Sequence, residues 1–344
     1  MIMRSLMFGI LGILQLCAWN LWADKPLSAH PDAKKFIQYM VKTYHFKSAD
    51  LTKILDQAVF QPKIIASMER PYEKKTWDVY KQLFLTPERV KQGLLFWQEN
   101  QESLAKAQKK YKVPAQMIVA IIGIETLYGK HQGTYRVLDA LTTLAFHYPK
   151  RAAFFTKELK EYLLLCREHN VPPTMYLGSY AGAMGKPQFM PSSYRFYAAS
   201  FDKKNKKDLM HNNQDVIASV ANYFHQHGWQ LNQHIAQQAC LLKQTASINT
   251  HYKKAHYRYQ ALTAAGVKPL KVLSNPPQKA GLITLTTHDG LEHWLAYPNF
   301  YVITRYNTSP QYALSVYLLA QQLQHQRLLS LKKETHLPHE PKLS

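Results

Sequence analysis

Glu125 is the residue in this sequence whose setting most favours proton chemistry. It follows Met117-Ile118-Val119-Ala120-Ile121-Ile122-Gly123-Ile124, an almost wholly apolar run at the end of a candidate helix. A carboxyl group desolvated at such a place holds its proton closer to neutrality, which a general acid requires. A glutamate at a frayed helix end, facing water, is the competing reading of the same pattern. Glycoside cleavage ordinarily uses two carboxylates. Asp139, the next acidic residue downstream, stands in Arg136-Val137-Leu138-Asp139-Ala140-Leu141 and reads as a helix-start residue. A single acid suffices where a group of the substrate supplies the nucleophile.

Gly178-Ser179-Tyr180-Ala181-Gly182-Ala183-Met184-Gly185 is rich in small residues that let a ligand approach the backbone. Gln188-Phe189-Met190-Pro191-Ser192-Ser193 follows and offers amide and hydroxyl contacts. The spacing of a phosphate loop is absent. Sixteen histidines invite a metal site. However, His225 and His227 would face different sides of a helix and no His-Glu-x-x-His occurs, so no metal and no cofactor is expected.

Length and charge bound what such residues can serve. The 344 residues, 46% hydrophobic and 19% charged, are enough for a sizeable core and exclude a largely disordered chain. Lys and Arg number 43 against 22 Asp and Glu, a formal charge of +21. Such an excess implies an anionic partner. Met1-Ile2-Met3-Arg4 begins the chain, Leu6 to Trp22 is mostly apolar, and Ala23 precedes Asp24-Lys25-Pro26. This reads as a secretory signal peptide over residues 1–23; a retained membrane anchor is the alternative. Leu16 ahead of Cys17 disfavours a lipid anchor there, since such a site wants a small residue. Export makes nucleic acid an unsuitable partner and points to the polyanions of a cell envelope. Cys166 and Cys240 then read as buried thiols rather than a disulfide.

The elements that must position these residues are mostly helical. Apolar residues recur at helical spacing from Phe36 to Tyr44 and, behind Ser48 as a cap, from Leu51 to Val59. Thr86-Pro87-Glu88 is a helix start, with the helix expected to run to Lys110. Pro114 opens the next helix. Ala152 to Glu168 and Val216 to His227, the latter capped by Asp215 or Asn213, are two more. Ile283-Thr284-Leu285-Thr286 alternates like a strand, and Tyr301-Val302-Ile303-Thr304 has strand composition. Gln311 to Leu328 returns to helix, ahead of a polar tail.

Five segments stand together in the order of a known family: Ile122-Gly123-Ile124-Glu125-Thr126, Tyr148-Pro149-Lys150-Arg151-Ala152, the Gly178 to Gly185 stretch, Gln188-Phe189-Met190-Pro191-Ser192-Ser193-Tyr194, and Pro298 to Asn307. From about Phe36 to Leu323 the chain resembles the membrane-bound lytic murein transglycosylase B family, enzymes that cut bacterial peptidoglycan. The resemblance implies a mainly α fold: a lysozyme-like helical core, a flanking helical domain and a small β-containing insert. Its parts would be a helical domain over 24–110 joined by the C-terminal helix 311–328, a catalytic core over 111–230 plus 298–310, an insert over 231–297 and a disordered tail over 331–344. It implies that Glu125 is the single acid and base, yielding a 1,6-anhydromuramic acid end. Ser179, Gln188, Tyr223, Tyr306, Asn307 and Tyr312 would line the cleft, with Lys150 and Arg151 facing acidic groups of the substrate.

Two departures stand out. Pro187, after Lys186, replaces the glycine that some members carry before the glutamine. Where the family can hold a calcium loop, this chain has Asp202-Lys203-Lys204-Asn205-Lys206-Lys207-Asp208, too poor in oxygen ligands for that ion. The implied partner is the peptidoglycan glycan strand and the implied location the periplasm, with outer-membrane association left open. A hydrolytic muramidase and a non-catalytic wall-binding scaffold are the competing functions.

Overall fold

The computed structural model describes residues 26–69, 75–202, 206–242, 248–250 and 253–335. The expected signal peptide, Cys17, Lys203 to Asn205 and the last nine residues lie outside them. In chain order the helices begin with α1 (Pro31–Tyr44), α2 (Ser48–Asp56), α3 (Pro62–Met68), α4 (Trp77–Phe84), α5 (Pro87–Glu99), α6 (Gln101–Tyr111) and α7 (Ala115–Thr126). There follow α8 (Val137–His147), α9 (Ala152–His169), α10 (Pro191–Tyr197), α11 (Asn213–Gln226), α12 (Tyr259–Ala264), α13 (Pro298–Ile303) and α14 (Pro310–Thr335). The strands are β1 (Tyr135–Arg136), β2 (Leu177–Gly178), β3 (Ala236–Leu241), β4 (Tyr257–Arg258), β5 (Val267–Pro269), β6 (Lys279–Thr287) and β7 (Gly290–Ala296).

The chain divides into two compact units. The first holds residues 26–69 with Gly133–Met184 and Phe189–Arg195. The second holds residues 75–132, Gly185–Gln188 and the described residues from Phe196 onward.

In the first unit α8 packs along α9. Asp139 sits buried in the first turn of α8, as a helix-start residue should. Its carboxylate accepts the Val59 N–H at 3.0 Å and pairs with Arg136 Nε at 2.8 Å, which pins the segment after α2. Glu158, also buried, accepts both the N–H and the hydroxyl of Ser192 at 2.9 and 2.7 Å, satisfying donors at the start of α10. Cys166 is buried in α9, and both it and Cys240 are free thiols.

In the second unit α7 is apolar on every side and is enclosed by α5, α6, α11 and α14. Its Ile and Val residues lose only tenths of a kcal/mol in helix propensity, whereas burying each side chain contributes about 1.5–3 kcal/mol. Packing therefore decides that this segment is helical. An antiparallel sheet in the order β4-β6-β7-β3-β5 is built from Ala236 to Ala296, with Leu262, Val267, Leu282, Leu295 and Tyr297 buried together.

Several local readings change. The helix opened by Thr86, whose hydroxyl accepts the Arg89 N–H, stops at Glu99 rather than continuing to Lys110. Asn100 leaves the helical region and its side-chain amide donates to the Phe96 carbonyl at 2.8 Å, starting α6 afresh. Ser48 lies inside α2 and makes no capping bond. The cap of α11 is Asn212, whose Oδ1 accepts the Gln214 and Asp215 N–H groups, not Asn213 or Asp215. Tyr301 to Ile303 are helical, because Pro298 starts α13 and its apolar residues are buried by packing that overrides strand propensity. The last helix extends to Thr335, several residues into the stretch expected as tail.

Candidate active site

Glu125 lies one residue before the end of α7, where the helix stops against a left-handed Leu127. The Leu127 and Tyr128 N–H groups bond back to the Gly123 and Ile122 carbonyls, so the helix end is closed by its own backbone. Tyr128 then folds its ring over α5 and α7. Its hydroxyl donates to the Arg89 carbonyl at 2.9 Å. A Cβ at Gly93 or Gly123 would overlap that hydroxyl, so the two glycines are what admit the ring. Arg89 locks the same corner, donating from Nε to the Gly123 carbonyl at 3.0 Å and from Nη1 to the Leu83 and Phe84 carbonyls.

The Glu125 carboxyl accepts a hydrogen bond from the Tyr312 hydroxyl, at the start of α14. Protein encloses it on most sides while a partial opening to solvent remains. Desolvation pushes its pKa from 4.5 to about 7, opposed by the Tyr312 hydrogen bond. The Tyr306 and Tyr312 hydroxyls are held well above their ordinary pKa, first by burial and then by the neighbouring Glu125 charge. Both stay protonated donors.

Tyr306 donates to the Pro187 carbonyl at 2.7 Å, and Tyr223 donates to the Arg305 carbonyl at 2.6 Å. The Tyr223 and Tyr306 rings lie 4.9 Å apart, and Tyr223 also stacks on His227 at 4.2 Å. Gln188 adopts a left-handed conformation with φ of 50°. Its amide nitrogen donates to the Gly185 and Gln132 carbonyls at 2.9 and 3.0 Å, leaving its carbonyl oxygen as the group to offer a ligand. Asn307 uses its Oδ1 to accept the Ser309 N–H at 2.9 Å.

Glu125, Tyr312, Tyr306, Tyr223, Asn307 and Gln188 belong to the second unit, where Glu125 meets Tyr312 and Tyr306 joins Tyr223 to the turn before Gln188. Ser179, Lys150 and Arg151 belong to the first. Ser179 Oγ accepts the Ala183 N–H at 3.0 Å and the Ala181 N–H at 3.3 Å, tying its own small-residue turn. Lys150 is exposed and 3.3 Å from Glu69. Arg151 lies over the Phe154 ring at 4.4 Å. Sequence reading missed Thr126 and Arg89. Thr126 is buried, and its hydroxyl donates to the Lys186 carbonyl at 2.8 Å and accepts the Gly129 N–H at 3.0 Å. A hydroxyl directly after the catalytic candidate in an apolar run was the available signal. Arg89 gave none.

Calcium does not fit the residues described. Asp208 Oδ1 already accepts the Met210 and His211 N–H groups, and Asp215 Oδ2 accepts the Asp208 N–H at 2.8 Å. Lys186 places its ammonium 2.5 Å from Asn213 Oδ1. Among the described residues no cluster of three or more His, Cys, Asp or Glu could hold a metal ion.

The mainly helical, lysozyme-like fold is that of solved lytic transglycosylases. The chain belongs to the transglycosylase SLT domain family, whose model matches residues 28–321. It is 39% identical over 302 residues to the membrane-bound lytic murein transglycosylase B of Escherichia coli K12, covering 85% of this chain and 82% of that one. The crystal structure of soluble lytic transglycosylase SltB1 from Pseudomonas aeruginosa is 41% identical, with a TM-score of 0.80 over 86% of this chain and 99% of that one. SltB3 from the same organism, solved in complex with NAG-NAM-pentapeptide, is 27% identical with a TM-score of 0.73, over 85% of this chain and 79% of that one.

Proposed function

We propose that this chain is an exported lytic transglycosylase that cleaves the β-1,4 bond between N-acetylmuramic acid and N-acetylglucosamine in peptidoglycan, with Glu125 as its only acid and base. The observation that carries this reading is the Glu125 carboxyl, protonated up to about pH 7 with a tyrosine hydroxyl as its partner. In the first half-step Glu125 gives its proton to the glycosidic oxygen and the bond from muramic C1 breaks. In the second, the Glu125 carboxylate takes the proton of the C6 hydroxyl as that oxygen bonds to C1. The proton count on Glu125 is restored, no water enters, and the product ends in a 1,6-anhydro ring. Tyr312 holds the carboxyl in place through both half-steps. The Gln188 carbonyl oxygen, Tyr223, Tyr306 and Asn307, with Ser179, are the groups assigned to hold the sugars. Lys150 and Arg151 are assigned to the acidic lactyl-peptide groups.

Mass spectrometry of the products from purified sacculi tests the reaction. Anhydro ends, lighter by one water than reducing ends, are expected; reducing ends would make the enzyme a hydrolytic muramidase, and no release at all would leave a wall-binding scaffold.

Tyr312 supplies a separate expectation. Its hydrogen bond lowers the Glu125 pKa, so Tyr312→Phe should move the alkaline limb of the pH–rate profile to higher pH. A limb that stays in place would remove Tyr312 from control of the acid.

The location assigned is the periplasm, reached by the signal peptide of residues 1–23. Among the described residues no helix is long and apolar enough to cross a membrane. The formal charge of +21 suits an anionic wall. Exposed attractions are screened over about 8 Å at physiological ionic strength, so retention on intact sacculi should fall steadily as salt is raised. Binding that ignores salt would assign the charge to another purpose.

A further inference from the structure

Lys186 stands in the short turn between Gly185 and Gln188, a segment with no helix or strand of its own to hold it. Beyond the Gln188 bonds to the Gly185 and Gln132 carbonyls, four further contacts hold it. On one side the Lys186 carbonyl accepts the Thr126 hydroxyl at 2.8 Å, and the Pro187 carbonyl accepts the Tyr306 hydroxyl at 2.7 Å. On the other side the Lys186 N–H donates to the Leu209 carbonyl at 2.9 Å. The fourth is the side chain. Its methylenes run over Gly129, where an added Cβ would come within 2.9 Å of Cε. Its ammonium reaches Asn213 Oδ1 at 2.5 Å and the His211 carbonyl at 3.4 Å, with the Asp208 carboxylate attracting it. A half-buried ammonium is costly unless oxygens replace its water; here the turn from Asp208 to Asn213 supplies them.

We propose that the Lys186 ammonium is the resident cation of the Asp208–Asn213 turn and a positioning residue that fixes where Gln188 meets the glycan. This rests on the reading that Gln188 contacts substrate. The described residues from Lys206 to Asn213 lack the oxygen ligands for a hard dication, and the same turn faces an internal charge delivered from the neighbouring segment. Lys186 and Pro187 then make one device. The proline ring restricts the backbone directly before Gln188, and the lysine anchors the residue before that. One departure noted in the sequence, the proline directly before Gln188, thereby becomes part of this device.

Lys186→Met keeps the methylene stem over Gly129 and removes the charge; Asn213→Ala removes the acceptor from the other side. With soluble glycan strands as substrate, each should raise KM about tenfold, the scale of one lost charged hydrogen bond, while kcat stays within about twofold. The double variant should be no worse than the worse single one, because both changes break the same link. Hydrogen exchange at the Lys186 and Gln188 amides should quicken in both variants, while the Leu127 and Tyr128 amides at the end of α7 hold their rates. Unchanged exchange in both variants overturns the tether. Faster exchange with unchanged KM, or effects that add in the double variant, overturns the positioning role. If the unaltered protein cuts no glycan, the functional reading itself has failed, and the exchange measurement still decides whether the ammonium holds the turn.

Discussion

Glu125→Gln should abolish release of anhydro-muropeptides while leaving folding and wall binding nearly intact. The amide keeps the shape of the carboxyl, and its oxygen can still accept the Tyr312 hydroxyl, but it can neither give nor take the proton. General acid–base help is worth about 10²–10⁴ in rate, and the same residue serves both half-steps, so the loss should sit at the upper end or beyond. Asp139→Asn is the matched control. That carboxylate is occupied by Val59 and Arg136, and weakening a buried charged hydrogen bond costs about 1–3 kcal/mol. The control should melt earlier yet turn over substrate. Turnover surviving in Glu125→Gln but lost in a folded Asp139→Asn would sink the single-acid mechanism.

The second large effect is the pH dependence. The proton on Glu125 is present below about pH 7 and lost above it. Cleavage should therefore decline about tenfold per pH unit on the alkaline side, a hundredfold by two units above the midpoint. The same proton is linked to stability. The folded pKa is raised above the unfolded value of 4.5, so the folded state keeps its proton while the unfolded chain has ionised. The contribution is fully present below about pH 4.5 and is lost as pH rises toward 7. Full burial would make this about 3 kcal/mol, and the partial solvent opening reduces it. Glu125→Gln cannot ionise, so its melting temperature should gain on the unaltered protein between pH 4.5 and 7 and then hold a constant lead. A lead that does not change with pH would show that the carboxyl is not held protonated by its surroundings.

Much of this was legible in the sequence because apolar periodicity and capping residues report directly on burial and helix starts. The run ahead of Glu125 is apolar at every position, so its complete enclosure could be read from residue type alone. Thr86-Pro87 likewise marked a helix start that the structure keeps. What failed were choices made by distant packing. Tyr301 to Ile303 have strand composition but are helical because Pro298 sets the backbone and the interior accepts their side chains. Asn100 breaks a helix by a local hydrogen bond that periodicity cannot register. At the site, the resemblance supplied Tyr312 and Gln188, but not the means of holding them. Thr126 and Arg89 act on backbone carbonyls, which leave no mark in a sequence. The Lys186 ammonium meets Asn213, 27 residues away, a pairing that only the folded chain makes.

The partner of Glu125 is Tyr312, 187 residues further along the chain, so α14 is made long after α7. Every segment through the five-stranded sheet must be made before that hydroxyl exists. A chain cut short before Tyr312 would carry the acid on a helix stripped of one wall, with nothing to hold the carboxyl toward a sugar. Truncated translation products and chains clipped ahead of α14 would thus be inert. Synthesis through α14 is the step that gives Glu125 its partner.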